Sequence, residues 1–202
     1  MKNLHLFSIG LFSAFCLISC QPKTKTDLVE IQKPLNENTI SFESQVKWGE
    51  HLVTILDCTT CHTPKIMTDK GPVPDASRFL SGHPSDMPLI DIDRAEIERK
   101  GLSVAADLTE WVGPWGVSFA ANLTPDETGI GTWTEEQFIL SLREGKAKGI
   151  SSSRTLLPPM PWQMYGQMTD DEIKAVFAYL KSLKPVNNIV PPPLPPVGST
   201  EQ

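Results

Sequence analysis

The stretch Cys58-Thr59-Thr60-Cys61-His62 constrains this chain more than any other. Two thiols three positions apart fall on one helical turn, and the imidazole that follows is carried at a fixed place beside them. Such a set can add through both sulfurs to the two vinyl groups of a haem and hold the imidazole beneath the iron as proximal ligand. Half of a zinc site is the plain alternative, but zinc needs a fourth ligand and usually a second ligand pair, and none is visible. A thioredoxin-like dithiol does not call for the histidine and follows a strand in a βαβ setting. Here the segment ahead of Cys58 reads as a helix. The pentapeptide therefore predicts one covalently attached haem c per chain, with Cys58 and Cys61 as its attachment residues and His62 as an axial iron ligand.

The other two of the four cysteines, Cys16 and Cys20, fall in or at the end of an N-terminal leader, so no disulfide framework remains. Lys2 supplies a charged start, and the apolar run from Leu4 to Ile18 is shorter than the roughly 20 residues that span a bilayer. Leu17-Ile18-Ser19-Cys20 resembles the lipobox of bacterial lipoproteins, whose cysteine is acylated after cleavage. Ordinary cleavage nearby would instead leave Cys20 as an exposed thiol, a liability in an oxidising compartment. The expectation is a signal peptide over 1–19 and export to the periplasmic face. Lipid at Cys20 would then anchor the chain to a membrane, inner or outer. Residues 20–42 are polar, broken by Pro22 and Pro34, and read as a flexible tether.

With 202 residues, 40% of them apolar, one core is expected. The net charge of −6, or −7 once Lys2 is removed with the leader, leaves no electrostatic footprint for nucleic acid. Charged partners should instead present basic patches.

Along the domain, expected over 43–186, a helix is predicted from Glu43 to Asp57, with Ser41 or Ser44 as its cap and Gly49 in its middle. Thr134-Glu135-Glu136-Gln137 and Thr169-Asp170-Asp171-Glu172 are capping boxes that open two further helices. The first turns Phe138, Ile139 and Leu142 inward and stops at Gly145. The second turns Ile173, Val176, Phe177, Leu180 and Leu183 inward. Between His62 and Trp133 the chain is dense in Pro, Gly and Asp, with one short helical candidate at Asp91 to Lys100. That insertion is expected as irregular chain, short helices and turns wrapped on the haem. The tail over 187–202 is Pro-rich and extended, lying on the domain or free.

A second axial ligand decides what the iron can do. In Leu157-Pro158-Pro159-Met160-Pro161-Trp162, prolines on both sides stiffen the backbone and reduce the entropy lost in holding a thioether at a metal. Met160 is the expected ligand. Met164 and Met168 are rivals, Met67 is too close to His62 to reach round the macrocycle, and His83 would give a bis-histidine iron. His51 reads as a surface position. Trp115, Trp133, Trp162 and Asn122 are candidates to line the pocket or bond the haem propionates.

These residues together resemble the class I mono-haem c-type cytochromes with His–Met ligation. The resemblance rests on Gly49 in Trp48-Gly49-Glu50-His51-Leu52-Val53, the CxxCH, the Met160 loop and Ala178-Tyr179-Leu180-Lys181-Ser182-Leu183. It implies a mainly α fold in which the first and last helices cross, Gly49 meeting Tyr179 or Phe177, and the haem is enclosed. Gly113-Pro114-Trp115-Gly116, the stretch from Asn122 to Asp126, and Gly129 to Trp133 resemble a subgroup with an enlarged haem-covering loop, found beside respiratory or dehydrogenase modules. The departure from compact members is the 98 positions from His62 to Met160 (160 − 62). The implied function is one-electron transfer rather than catalysis, with a dehydrogenase, a quinol-oxidising complex or a terminal oxidase as partner. The alternative is a haem enzyme or a gas or peroxide sensor, with an open or displaceable sixth position.

Overall fold

The structure, a computed structural model, describes residues 42–199. The leader, Cys20 and all of the expected tether but Phe42 lie outside the described residues. Phe42 stacks on Trp48 with ring centroids 6.3 Å apart and lies 5.1 Å from the His51 ring, so His51 is half-buried under it rather than free at the surface.

Helix α1 (Gln45–Ile55) starts at Ser44, whose side chain accepts from Lys47 N at 3.2 Å. It packs against the last helix, α6 (Asp170–Ser182), and the two carry the centre of the core: Leu52, Val53, Ile173, Val176, Phe177 and Leu180. Each such side chain contributes about 1.5–3 kcal/mol on burial. Gly49 is where the helices touch. A Cβ there would overlap the carbonyl of Ala175 and stand 2.7 Å from Tyr179 Cβ. The expected partner Tyr179 is therefore correct, Phe177 is not, and the closest approach is to backbone.

Both capping boxes form. Thr134 opens α4 (Glu135–Arg143) and Thr169 opens α6, each with its hydroxyl on the third backbone N–H and the Gln137 or Glu172 side chain returning to the cap. Phe138 of α4 packs on Phe177 with centroids 5.0 Å apart. Between them lies the four-residue helix α5 (Trp162–Tyr165).

The insertion differs from expectation. Short helices and turns are present as expected, but the insertion also carries two small antiparallel sheets. One pairs β1 (Lys65–Thr68) with β2 (Gly71–Pro74); the other has the order β3 (Ser103–Val104), β4 (Glu110–Gly113), β5 (Gly116–Phe119). Helix α3 (Arg94–Lys100) falls inside the expected segment and ends at Gly101. Strands of two to four residues set no alternation long enough to read, and Pro72 and Pro74 mask β2. The insertion feeds the core as well, through Leu80 and Ile130, both fully buried.

The Pro-rich tail lies on the domain. Leu194 exchanges backbone hydrogen bonds with Val117 at 2.9 and 3.0 Å. Arg94 donates to the carbonyl of Pro195 at 2.8 Å, and Asn188 donates to the carbonyls of Ser81 and His83 at 2.7 and 2.8 Å.

Candidate haem site

Asp57 turns the chain out of α1 with φ of 56°, and its carboxylate accepts from Thr60 Oγ1 at 2.6 Å. Helix α2 (Cys58–His62) follows, presenting both thiols and the imidazole half-buried on little more than one turn. Its C-terminal end is tied down from three directions. The Thr63 hydroxyl, fully buried, accepts from Leu80 N at 3.0 Å, and Gly82 N donates to the carbonyl of His62 at 2.8 Å. The Lys65 ammonium donates to the carbonyls of Thr60 and Thr63, a cation at a helix C-terminus.

His62 Nδ1 lies 2.7 Å from the carbonyl oxygen of Ala121. A carbonyl can only accept, so Nδ1 carries the proton and the lone pair is on Nε2. A hydrogen bond from the ring nitrogen that does not face the metal fixes both tautomer and ring plane of a metal-bound histidine. Burial lowers the imidazole pKa, which keeps the ring neutral and able to ligate. Burial also pushes the Cys58 thiol up to about 11 and raises that of Cys61. A redox dithiol needs the thiolate within reach, and this environment disfavours it. Among the described residues no cluster of three or more His, Cys, Asp or Glu could hold a metal ion, which removes the zinc alternative there.

Met160 is half-buried against the same core cluster that Cys58 touches. It lies in a concavity lined by Thr155, Leu156, Pro158, Pro159, Pro161, Trp162 and Gln163. Of the other methionines, Met164 is 71% and Met67 59% exposed, both turned to solvent. Met168 is half-buried on the core, but directly precedes the α6 cap. His83 is ruled out by enclosure. It is 0% exposed, its Nδ1 is 2.8 Å from Thr109 Oγ1, and the Phe119 ring packs on it, tilted by 44°, with centroids 4.8 Å apart. An imidazole closed in by protein on every side has no face to offer a ring as large as haem.

Tyr165 brings the methionine loop to the cysteines. Its hydroxyl donates to the carbonyl of Leu56, two residues before Cys58, at 2.9 Å. Burial, with smaller contributions from the nearby Cys58 and Cys61 thiols and Asp57, pushes its pKa up to about 12. Asn122 is not a propionate donor. Buried, its amide donates to the carbonyl of Val186 at 2.9 Å and its carbonyl accepts from Thr124, so it ties a turn to the end of α6. Trp162 packs over Gly145, and Trp133 is half-buried on the core. Ala121 and Tyr165 escaped notice: a backbone acceptor leaves no mark in a sequence, and a lone tyrosine leaves little.

This donor set fits a haem: two protonated thiols and a neutral imidazole free at Nε2, with a thioether in reach of the same core. The half-buried Leu56, Phe79, Trp133, Ile139 and Tyr165 add apolar surface.

Comparison with known proteins agrees. The family model for cytochrome c matches residues 46–184, and the chain belongs to that family, whose members bind haem c covalently. It is 30% identical over 146 residues to the cytochrome c subunit of a quinone-dependent alcohol dehydrogenase from Gluconobacter oxydans (strain 621H), covering 71% of this chain and 23% of that protein. It is 40% identical over 142 residues to a fructose dehydrogenase cytochrome subunit from Gluconobacter japonicus, covering 69% and 21%. It is 30% identical over 138 residues to a gluconate 2-dehydrogenase cytochrome c subunit from Pantoea cypripedii, covering 68% and 23%. The chain thus spans less than a quarter of the length of these relatives.

Proposed function

We propose that this member of the cytochrome c family is an exported single-electron carrier. It would bind one haem through Cys58, Cys61, His62 and Met160 and serve a membrane dehydrogenase or another respiratory partner. The observation that carries the reading is His62, with Nδ1 committed to the Ala121 carbonyl and Nε2 left for iron; the Tyr165 bond to Leu56, which ties the helix after the methionine loop to the segment ahead of Cys58, supports Met160 as the second ligand. A haem held by these residues would supply the chemistry, a one-electron change between Fe(III) and Fe(II).

The chain's own residues do the rest. Cys58 and Cys61 keep the group from leaving. The Ala121 carbonyl holds the His62 ring plane and raises its basicity. The Met160 thioether favours the reduced state, and Pro158, Pro159 and Pro161 lower the entropy lost in keeping it there. The dehydrogenase names of the relatives support a partner of that class. The chain's acidity favours one with a basic docking face.

Met160→Ala should abolish the weak long-wavelength Met–Fe(III) absorption, lower the potential and admit carbon monoxide to the reduced form, with both thioethers intact. Met164→Ala should do none of these. The reverse pattern would move the ligand to Met164. Anchoring belongs to the same proposal: Cys20→Ala should keep haem attachment and move the protein from the membrane to the soluble periplasmic fraction. A variant still held by membranes after a salt wash would mean that lipid at Cys20 is not the anchor.

A further inference from the structure

Two sequence features found no use in the electron-carrier reading: the Gly113-Pro114-Trp115-Gly116 hairpin and the Pro-rich tail. The structure joins them to the methionine loop. Ser118, 6% exposed on β5, donates its hydroxyl to the carbonyl of Pro158 at 2.6 Å, two residues before Met160. The same oxygen accepts from Trp115 Nε1 at 3.1 Å, a bond that polarises the hydroxyl and strengthens its donation. Val117 beside it exchanges two backbone hydrogen bonds with Leu194 of the tail. Gly116 has φ of 93°, and a Cβ there would overlap the carbonyl of Leu194, so the tail lies directly on the hairpin backbone.

The loop's backbone bonds are Leu156 N on the carbonyl of Gly145 at 2.6 Å and Met160 N on the carbonyl of Leu157 at 3.2 Å. Proline cannot donate, so Pro158, Pro159 and Pro161 leave the loop with few backbone bonds of its own. The Ser118 bond is an external tie on the stretch just before Met160.

We infer that Ser118, polarised by Trp115 and held by the tail strand at Leu194, is a positioning residue that clamps the Met160 loop and sets how readily its thioether can be displaced from the iron. The inference rests on Met160 being the sixth ligand. The enlarged insertion and the tail then serve ligand retention, each joined to the loop by one traceable hydrogen-bond path.

The test uses the full chain carrying its haem, in the ferric state, with imidazole as competing ligand and the long-wavelength Met–Fe(III) band as readout. Ser118→Ala should bind imidazole about tenfold more tightly and lose the band at lower pH, the scale of one hydrogen bond. Trp115→Phe should shift both in the same direction by less. Ser118→Thr keeps the hydroxyl and should restore both values. Ser118→Ala with imidazole affinity within about twofold of the unmutated protein, or Ser118→Thr behaving like Ser118→Ala, would overturn the clamp even if thermal stability falls. Failure of the ligand assignment looks different: Met160→Ala would leave the band and imidazole affinity unchanged, and the clamp would fall with it.

Discussion

Single side chains in this molecule are decided by enclosure more than by type. Glu110 is the sharpest case. It is 1% exposed, and its carboxylate receives only Ile90 N, at 3.3 and 3.4 Å, beyond good hydrogen-bond length. Burial raises its pKa above the ordinary 4.5; the Ile90 N–H offsets part of the shift, nearby Asp107 adds to it, and Arg94 opposes it least. Below pH 4.5 folded and unfolded chains are both protonated there and the fold bears no penalty. As pH rises through the folded value, stability is lost, because only the unfolded chain ionises freely. Glu110→Gln should therefore raise stability by about 1 kcal/mol at neutral pH and by almost nothing in acid. Thermal melts of the two proteins at both pH values check this, and an equal gain at both would show that ionisation is not the cause. His83 illustrates the same rule. As a residue type it qualified for the iron; its Thr109 bond and full burial disqualify it.

At the scale of elements, legibility followed periodicity. Helices α4 and α6 could be read because capping boxes and apolar stripes are local signals, repeated over nine and thirteen residues. The five strands could not be, since their pairing depends on residues brought together by tertiary structure. Much the same holds for the site. The CxxCH and Met160 were visible as residue types at meaningful spacing. The Ala121 carbonyl, the Tyr165 bridge and the Ser118 tie are long-range hydrogen bonds with no pattern along the chain. The α1–α6 contact offers the clearest test at this scale. Alanine is a better helix former than glycine by about 1 kcal/mol, so propensity alone would make Gly49→Ala stabilising. The overlap with the Ala175 carbonyl opposes it, and backbone on backbone cannot be relieved by a rotamer change. Overpacking should win, leaving a net loss of about 2 kcal/mol in denaturant unfolding. A stabilised variant would mean that the two helices separate more easily than this contact implies.

At the scale of the described residues, a small helical core and a β-bearing insertion meet at the CxxCH turn, and the tail lies on the insertion. Leu80 and Ile130 knit the insertion into the core, and Asn188 knits the tail to the insertion. A domain braced in so many places around two candidate iron ligands suits a group that must stay put while its charge changes, since small rearrangement keeps electron transfer fast. An open iron site would suit an enzyme or sensor instead. The measurement that separates these most directly is the absorption spectrum of the haem-loaded, unmutated protein, reduced and then exposed to carbon monoxide. The account predicts a long-wavelength Met–Fe(III) band before reduction and no spectral change on adding the gas. Absence of that band, together with carbon monoxide binding to the reduced protein, would contradict it.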